Sequence, residues 1–299
     1  MLYKLNFKSN STIADSIKIS GAIINAYSIL YPDKIDEFIS YITAGEISFS
    51  DIFPYENEPL FSMPPLNNLI DTSINKKQQK ELIKNRKNMP KYINYTELIN
   101  ISKNFMEHSY DGIKNYSFKK ANVNFKTNIS ETGNHILETP KKNKEKEVYI
   151  YNEVYSRELY AYNSAFFIIH NCIKEIQKNI DASVNLLNDF GISGRLSTGK
   201  GKIRVERGND ELETEFKSEG LYMLLSSFIP SNNDIKFIDF NKSRYNINIF
   251  QGKDRLGKPV GPFRYIMPGA FLYIRNNLKG CSFNNGNRIM VFNPVIMRM

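Results

Sequence analysis

The sequence predicts an α+β protein of two tandem ferredoxin-like units, the first carrying a long insertion. Three observations lead there. Residues 1–206 read as strand, helix, strand, long insertion, strand, helix, glycine loop and strand. Without the insertion this is βαββαβ, the ferredoxin-like or RRM-type order. Residues 207–299 hold strand-like apolar runs separated by Gly, Pro and Asn turns, which predicts a second, mostly β unit of ferredoxin-like or related kind. The chain is also 41% hydrophobic and 13% aromatic, which supports a sizeable core and excludes a disordered composition.

The elements follow in order. In "LYKLNF", Tyr3, Leu5 and Phe7 alternate with polar residues, so one face of a strand is buried. Ser11 or Thr12 is placed to cap the next helix. Ile19, Ala22, Ile23, Ala26, Tyr27 and Leu30 recur at helical spacing, and Pro32 ends the run. Gly21 costs stability inside that helix, which predicts close packing against a neighbour. "EISFSDIFPY" reads as the second strand. Residues 55–147 form the insertion, with a proline-marked loop at "SMPPLNNLIDTS" and an extended hairpin over the polar segment around Gly133. "EVYIYNEVYSRELYAYNSAFFIIH" holds one or two strands. Residues 172–190 form a helix with an apolar stripe of Ile173, Ile176, Ile180, Val184 and Leu187, and "KIRVE" is the following strand. Beyond it, "GLYMLLSSFIP", "RYNINIF", "FRYIMPGAFLYI" and "RIMVFNPVIM" are strand-like.

The net charge is +9, which favours an anionic partner such as nucleic acid, an acidic protein or a membrane headgroup. The basic run at 76–91 reads first as a solvated helix face. Cys172 and Cys281 lack metal-type pairing and fit free thiols in a reducing cytoplasm. No long apolar run is present, so neither a signal peptide nor a membrane span is expected.

The segment "GRLSTGKGK" at 194–202 almost spells a Walker A loop, with Gly201 where Ser or Thr should hold magnesium. A Walker loop follows a strand and opens a helix. Here a helix precedes and a strand follows, so the nearest helix end is the carbonyl end, which repels phosphate. Gly191 is explained as a helix C′ residue. The density of glycine in Gly191, Gly194, Gly199 and Gly201, interleaved with Arg195, Ser197, Thr198, Lys200 and Lys202, instead suits a nucleic-acid backbone. Glycine allows close approach, exposed N–H groups line an anion nest, and Arg and Lys add charge.

A βαββαβ half whose second helix ends in such a loop resembles the RAMP superfamily of CRISPR proteins. "SFSDIFPY", "FSMPPL", "NISETGNHILETP", "YSRELYAYNSAFFIIH", "LLNDFGISGRLSTGKGKIRV", "GPFRYIMPGAFLYI" and "NRIMVFNPVIM", in that order, are similar to segments of the Csm subunit four family of type III-A effector complexes. The resemblance spans nearly the whole chain. It implies a noncatalytic, cytoplasmic subunit that caps the 5′ repeat-derived tag of the CRISPR RNA. It also implies contacts with the large polymerase-nuclease subunit and a backbone RAMP subunit, with no membrane partner. Carried over residue by residue, Gly194, Arg195, Ser197, Thr198, Gly199, Lys200 and Gly201 would hold the tag backbone. Asn128, Ser130 and His135 would lie on a thumb at the tag–spacer junction. Two positions depart from the family: Ser193 stands where glycine is common, and Glu131 where arginine is frequent.

A catalytic reading finds little support. His108, His135 and His170 have no metal spacing, and His170 borders an apolar run as a structural histidine would. The first helix offers Asp15 and Lys18 but no histidine, and Asp15 fits a helix-entry motif, "STIADS". No acid–base pair is evident, and no cofactor or metal is expected. Two rivals stay open: a metal-independent RAMP endoribonuclease that processes precursor RNA, and a P-loop-like nucleotide binder.

Overall fold

The computed structural model describes residues 1–9, 11–12, 14–65, 92–106, 131–139, 147–155, 159–160, 164–192, 201–209, 212–253, 259–284 and 288–299. The chain opens with β1 (Leu2–Phe7) and the short β2 (Ser11–Thr12), followed by α1 (Ser16–Leu30) and α2 (Ile35–Thr43). Next come β3 (Ile47–Phe49), β4 (Phe53–Glu56), β5 (Glu58–Ser62), β6 (Tyr92–Asn94) and α3 (Tyr95–Met106). A hairpin of β7 (Glu131–Thr139) and β8 (Glu147–Tyr155) precedes β9 (Leu159–Tyr160), β10 (Ser164–Asn171), α4 (Gln177–Phe190) and β11 (Ile203–Arg207).

Seven of these strands form one sheet in the order β11-β1-β10-β4-β5-β6, with β3 also paired to β10. The alternation seen in β1 holds. Tyr3 and Leu5 are buried on the helix side with Ala165, Phe167 and Ile169 of β10 and Ile203 and Val205 of β11. Ile19, Ile23, Ala26 and Tyr27 of α1 and Ile180, Val184 and Leu187 of α4 close this core. Tyr27 stacks on Phe38 of α2 with ring centroids 4.0 Å apart.

The second sheet is built from β12 (Gly220–Leu224), β13 (Ile238–Arg244), β16 (Phe271–Ile274) and β19 (Ile296–Arg298), in the order β13-β16-β12-β19 with antiparallel neighbours. A short helix, α5 (Asp234–Phe237), precedes β13. Two hairpins, β14 (Ile247–Lys253) with β15 (Pro259–Ile266) and β17 (Cys281–Asn284) with β18 (Ile289–Phe292), fill the connections.

The two sheets share a core. On the face of the first sheet away from α1 and α4, Leu2, Phe53, Phe61, Phe166 and Ile168 pack on Leu221, Met223, Phe271, Val295 and Met297, with Leu98 and Ile101 of α3. Buried polar contacts tie the same joint. The Ser48 hydroxyl donates to the Pro294 carbonyl at 2.9 Å, and Asn293 Nδ2 donates to the carbonyls of Ile42 and Ile47 at 2.6 and 3.1 Å.

Several expectations change. Ser11 and Thr12 pair with Tyr160 and Leu159 in strand geometry, so α1 is capped by Asp15 instead. A Cβ on Gly21 would meet nothing within 4 Å, so close packing does not explain this glycine. The "EISFSDIFPY" strand divides at Ser50–Ile52, because the Ser50 hydroxyl and Asp51 turn to other partners. Residues 172–176 are not α-helix. Asn171 bonds its own downstream backbone, accepting from Ile173 N–H at 2.9 Å and donating to its carbonyl at 2.8 Å, and the α-helix starts at Gln177. α2, β5, β6, α3, α5, β13 and β17 were not anticipated.

Candidate nucleic-acid interface

The glycine loop is gripped at its neck. α4 ends at Phe190, and Gly191, at φ 73°, donates its N–H to the Leu187 carbonyl at 2.7 Å. That bond satisfies one of the open carbonyls at the helix end. Ile192 is buried and donates its N–H to the Gly201 carbonyl at 3.0 Å. Ile192 and Gly201, which flank residues 193–200, are therefore held together. Gly201 lies at φ 78°, a left-handed conformation that glycine adopts without strain. From there the chain is clamped to the end of β1: Lys202 N–H donates to Ser9 Oγ at 2.9 Å, and Lys8 N–H donates to the Lys202 carbonyl at 2.8 Å.

Ile192 and Gly201 thus sit where β1 ends, α4 ends and β11 begins. Lys8, Lys202 and Arg204 are exposed beside them, and among the described residues their side chains form no ion pair or hydrogen bond. Uncommitted cations beside a backbone turn suit a polyanion. Phe190, 43% exposed, adds an aromatic face at the neck.

Of the predicted site residues, Gly201 lies at this neck. Gly194, Arg195, Ser197, Thr198, Gly199 and Lys200 lie outside the described residues, as do Asn128, Ser130, His108 and the basic run at 76–91. His135 falls on β7, opposite Tyr151 of β8 in an unbroken antiparallel register. Sequence reasoning missed Lys8 and Ser9, because nothing in the sequence brings them to residue 202. The pairing of Phe7 with Ile203 does so.

At the entry of α1, Asp15 Oδ1 accepts the Lys18 N–H and Asp51 Oδ1 accepts the Ser16 N–H, both at 2.9 Å. Burial, with repulsion from Asp15 second, pushes the Asp51 carboxyl up to about 7. His170 is held below its usual range, first by burial and then by the Met1 ammonium. Its Nε2 lies 3.3 Å from Cys172 Sγ. Among the described residues no group of three or more His, Cys, Asp or Glu is placed to hold a metal ion. No described helix is long and apolar enough to cross a membrane.

Base stacking on β10 in the RRM manner is closed off at Phe166. On the helix-free face of β10, Phe166 is fully buried against Phe53, Phe61 and Tyr55. It cannot serve as a stacking platform for a base.

The molecule is thus an α+β protein of joined antiparallel sheets, compatible with the RAMP fold, with Ile192 and Gly201 held together at one edge. Its structural neighbours include Csm4 in Csm3–Csm4 and Csm1–Csm4 complexes. Across all of this chain and 99% of the other, it is similar to a chain of the Csm3–Csm4 subcomplex of the type III-A CRISPR-Cas interference complex, with TM-score 0.59 and 19% identity. It is similar to a chain of the Csm1–Csm4 cassette in complex with AMPPNP, with TM-score 0.51 and 15% identity over 100% and 96% of the two chains. The same cassette in complex with cA4 gives TM-score 0.51 and 14% identity over 100% and 97%. No family model and no curated protein matches the chain.

Proposed function

We propose that the chain is a noncatalytic RNA-binding subunit of a type III-A CRISPR effector complex. In this reading it caps the 5′ repeat-derived tag of the CRISPR RNA. It also bridges the large polymerase-nuclease subunit to the first RAMP subunit of the backbone filament, in the cytoplasm and in antiviral defence. The observation that carries the reading is the full-length likeness to chains of Csm3–Csm4 and Csm1–Csm4 assemblies, whose names supply the two protein partners. The pinned glycine loop, with Lys8, Lys202 and Arg204 beside it, supports an RNA ligand. We further read residues 1–206 and 207–299 as tandem ferredoxin-like units. The order β13-β16-β12-β19 is, in chain order of its strands, second-third-first-fourth, the same as β3/β4-β10-β1-β11.

The test is reconstitution with tagged CRISPR RNA and the partner subunits. Arg195→Ala with Lys200→Ala should weaken tag binding about tenfold or more and flatten its salt dependence relative to wild type. Unchanged affinity and unchanged assembly would sink the loop's role. A metal-independent endoribonuclease is the second reading: Asp51 and Asp15 lie together at the entry of α1, each accepting a backbone N–H of that helix, and burial raises the Asp51 carboxyl. Specific cleavage of repeat RNA in EDTA, abolished by Asp51→Asn, would establish it.

A further inference from the structure

The helix-free face of the first sheet is only half covered by the second. At the covered end lie Leu2, Phe166 and Ile168, all buried. At the other end the same face carries Lys4 and Asn6 of β1, Arg204 and Glu206 of β11, and Ser164 of β10, all partly or fully exposed. Arg204, Asn6 and Ser164 occupy directly paired positions on three adjacent strands, so they form one row across the sheet. Paired residues of antiparallel strands share a face.

The chemistry of that row is one-sided. Ser164 Oγ donates to Asn6 Oδ1 at 2.9 Å, which engages one lone pair of the amide oxygen and fixes the amide in the row. Asn6 Nδ2 and the Arg204 guanidinium have no side-chain partner among the described residues. In the next row Lys4 Nζ donates to Tyr55 Oη at 2.6 Å and lies 4.1 Å from the centre of its ring. The strip therefore presents mostly donors, with Glu206 as its lone carboxylate. It also joins the glycine loop directly. Arg204 is three residues beyond Gly201, about 10 Å along an extended chain.

We propose that this strip reads a nucleobase of the RNA as it leaves the glycine loop, selecting a keto base, guanine or uracil. The proposal rests on the RNA-binding reading above and adds a sequence-reading element to it. Guanine O6 and N7 and the uracil carbonyls are acceptors, matched by the Asn6 amide N–H groups and the Arg204 fork. Adenine would set its exocyclic amine against them. A protein partner is disfavoured because the row exposes no apolar or aromatic anchor of the kind that centres a protein interface.

The experiment is fluorescence anisotropy of the full chain with labelled dodecamers of uridine and of adenosine at one fixed salt concentration. Wild type should bind oligouridine more tightly. Arg204→Ala should cut oligouridine affinity about tenfold and narrow the preference, and Asn6→Asp should do at least as much by placing a carboxylate in the row. Asn6→Ala serves if Asn6→Asp fails to fold. Arg207→Ala, whose guanidinium is held 3.0 Å from Asp181, should change neither affinity. The strip is overturned if wild type shows no preference, or if the Arg204 and Asn6 variants keep both affinities. If the Arg195→Ala, Lys200→Ala variant loses binding in that case, the strip fails alone. If it too binds like wild type, the RNA-binding reading fails with it.

Discussion

Gly21 sits mid-helix in α1 and faces open space, since a methyl group at this position would have nothing within 4 Å. It gives up helix propensity without an evident gain in packing. Gly21→Ala should therefore stabilise the chain by about 0.5–1 kcal/mol. A urea midpoint that rises with unchanged slope would show this, and a lower midpoint would contradict it. Asp51 is a different case, in which the cost depends on pH. Its folded-state carboxyl, raised from 3.8 to about 7, prefers the proton. A raised acid contributes stability that is full below the unfolded value and is lost as pH climbs through the folded one. Asp51→Asn keeps an acceptor for the Ser16 N–H and removes that loss. Its melting temperature should exceed wild type at pH 8, and the gain should shrink steadily towards pH 4. An equal gain at every pH would remove the titration argument.

Elements differ in how much of them the sequence announces. β1 alternates, and α1 and α4 carry long apolar stripes, because each buries mainly one face, whereas β10 reads as a continuous apolar run because both of its faces are buried. α2 went unread, although Ile35, Phe38 and Ile42 have helical spacing, because Pro32 and a 3₁₀ turn separate it from α1 by only a few residues. β14, β15 and β18 were legible as the apolar runs "RYNINIF", "FRYI" and "RIMVF", whereas β17, "CSFN", was not, because Phe283 is its one large apolar residue. The glycine loop was legible as a cluster of residue types. Its pinning was not, since Ser9 and Lys202 are 193 residues apart in sequence. The same limit hid Asn188, whose Oδ1 accepts the Val205 N–H at 2.6 Å and fastens β11 to α4 just behind the loop. Asn188→Ala should cost about 1–2 kcal/mol and weaken RNA binding with it. Asn188→Asp retains an acceptor and should recover most of both. Full RNA affinity in a destabilised Asn188→Ala chain would show that the neck need not be held from this side.

At the scale of the molecule, the division into units at residue 206 and the shared core pull in different directions. The strand orders suggest two folding modules, but the face of each sheet is completed by the other. Phe166 belongs to the cluster shared by both sheets, and its ring centroid lies 5.8 and 5.7 Å from those of Phe53 and Phe61 on the first sheet. The bonds from Ser48 and Asn293 cross this joint as well. Separating the sheets would expose Leu221, Met223, Phe271 and Met297 together with the polar groups that cross the joint, and each of those costs free energy. The sheets should therefore open together. Hydrogen exchange should give the slowest amides of β1, β10, β12 and β16 one common opening free energy. Phe166→Ala, which leaves a large cavity at the joint, should lower it by about 3–5 kcal/mol in both sheets alike. If β12 and β16 kept their protection while β1 and β10 lost theirs, the second sheet would be an independent module, and the glycine loop could then move relative to it.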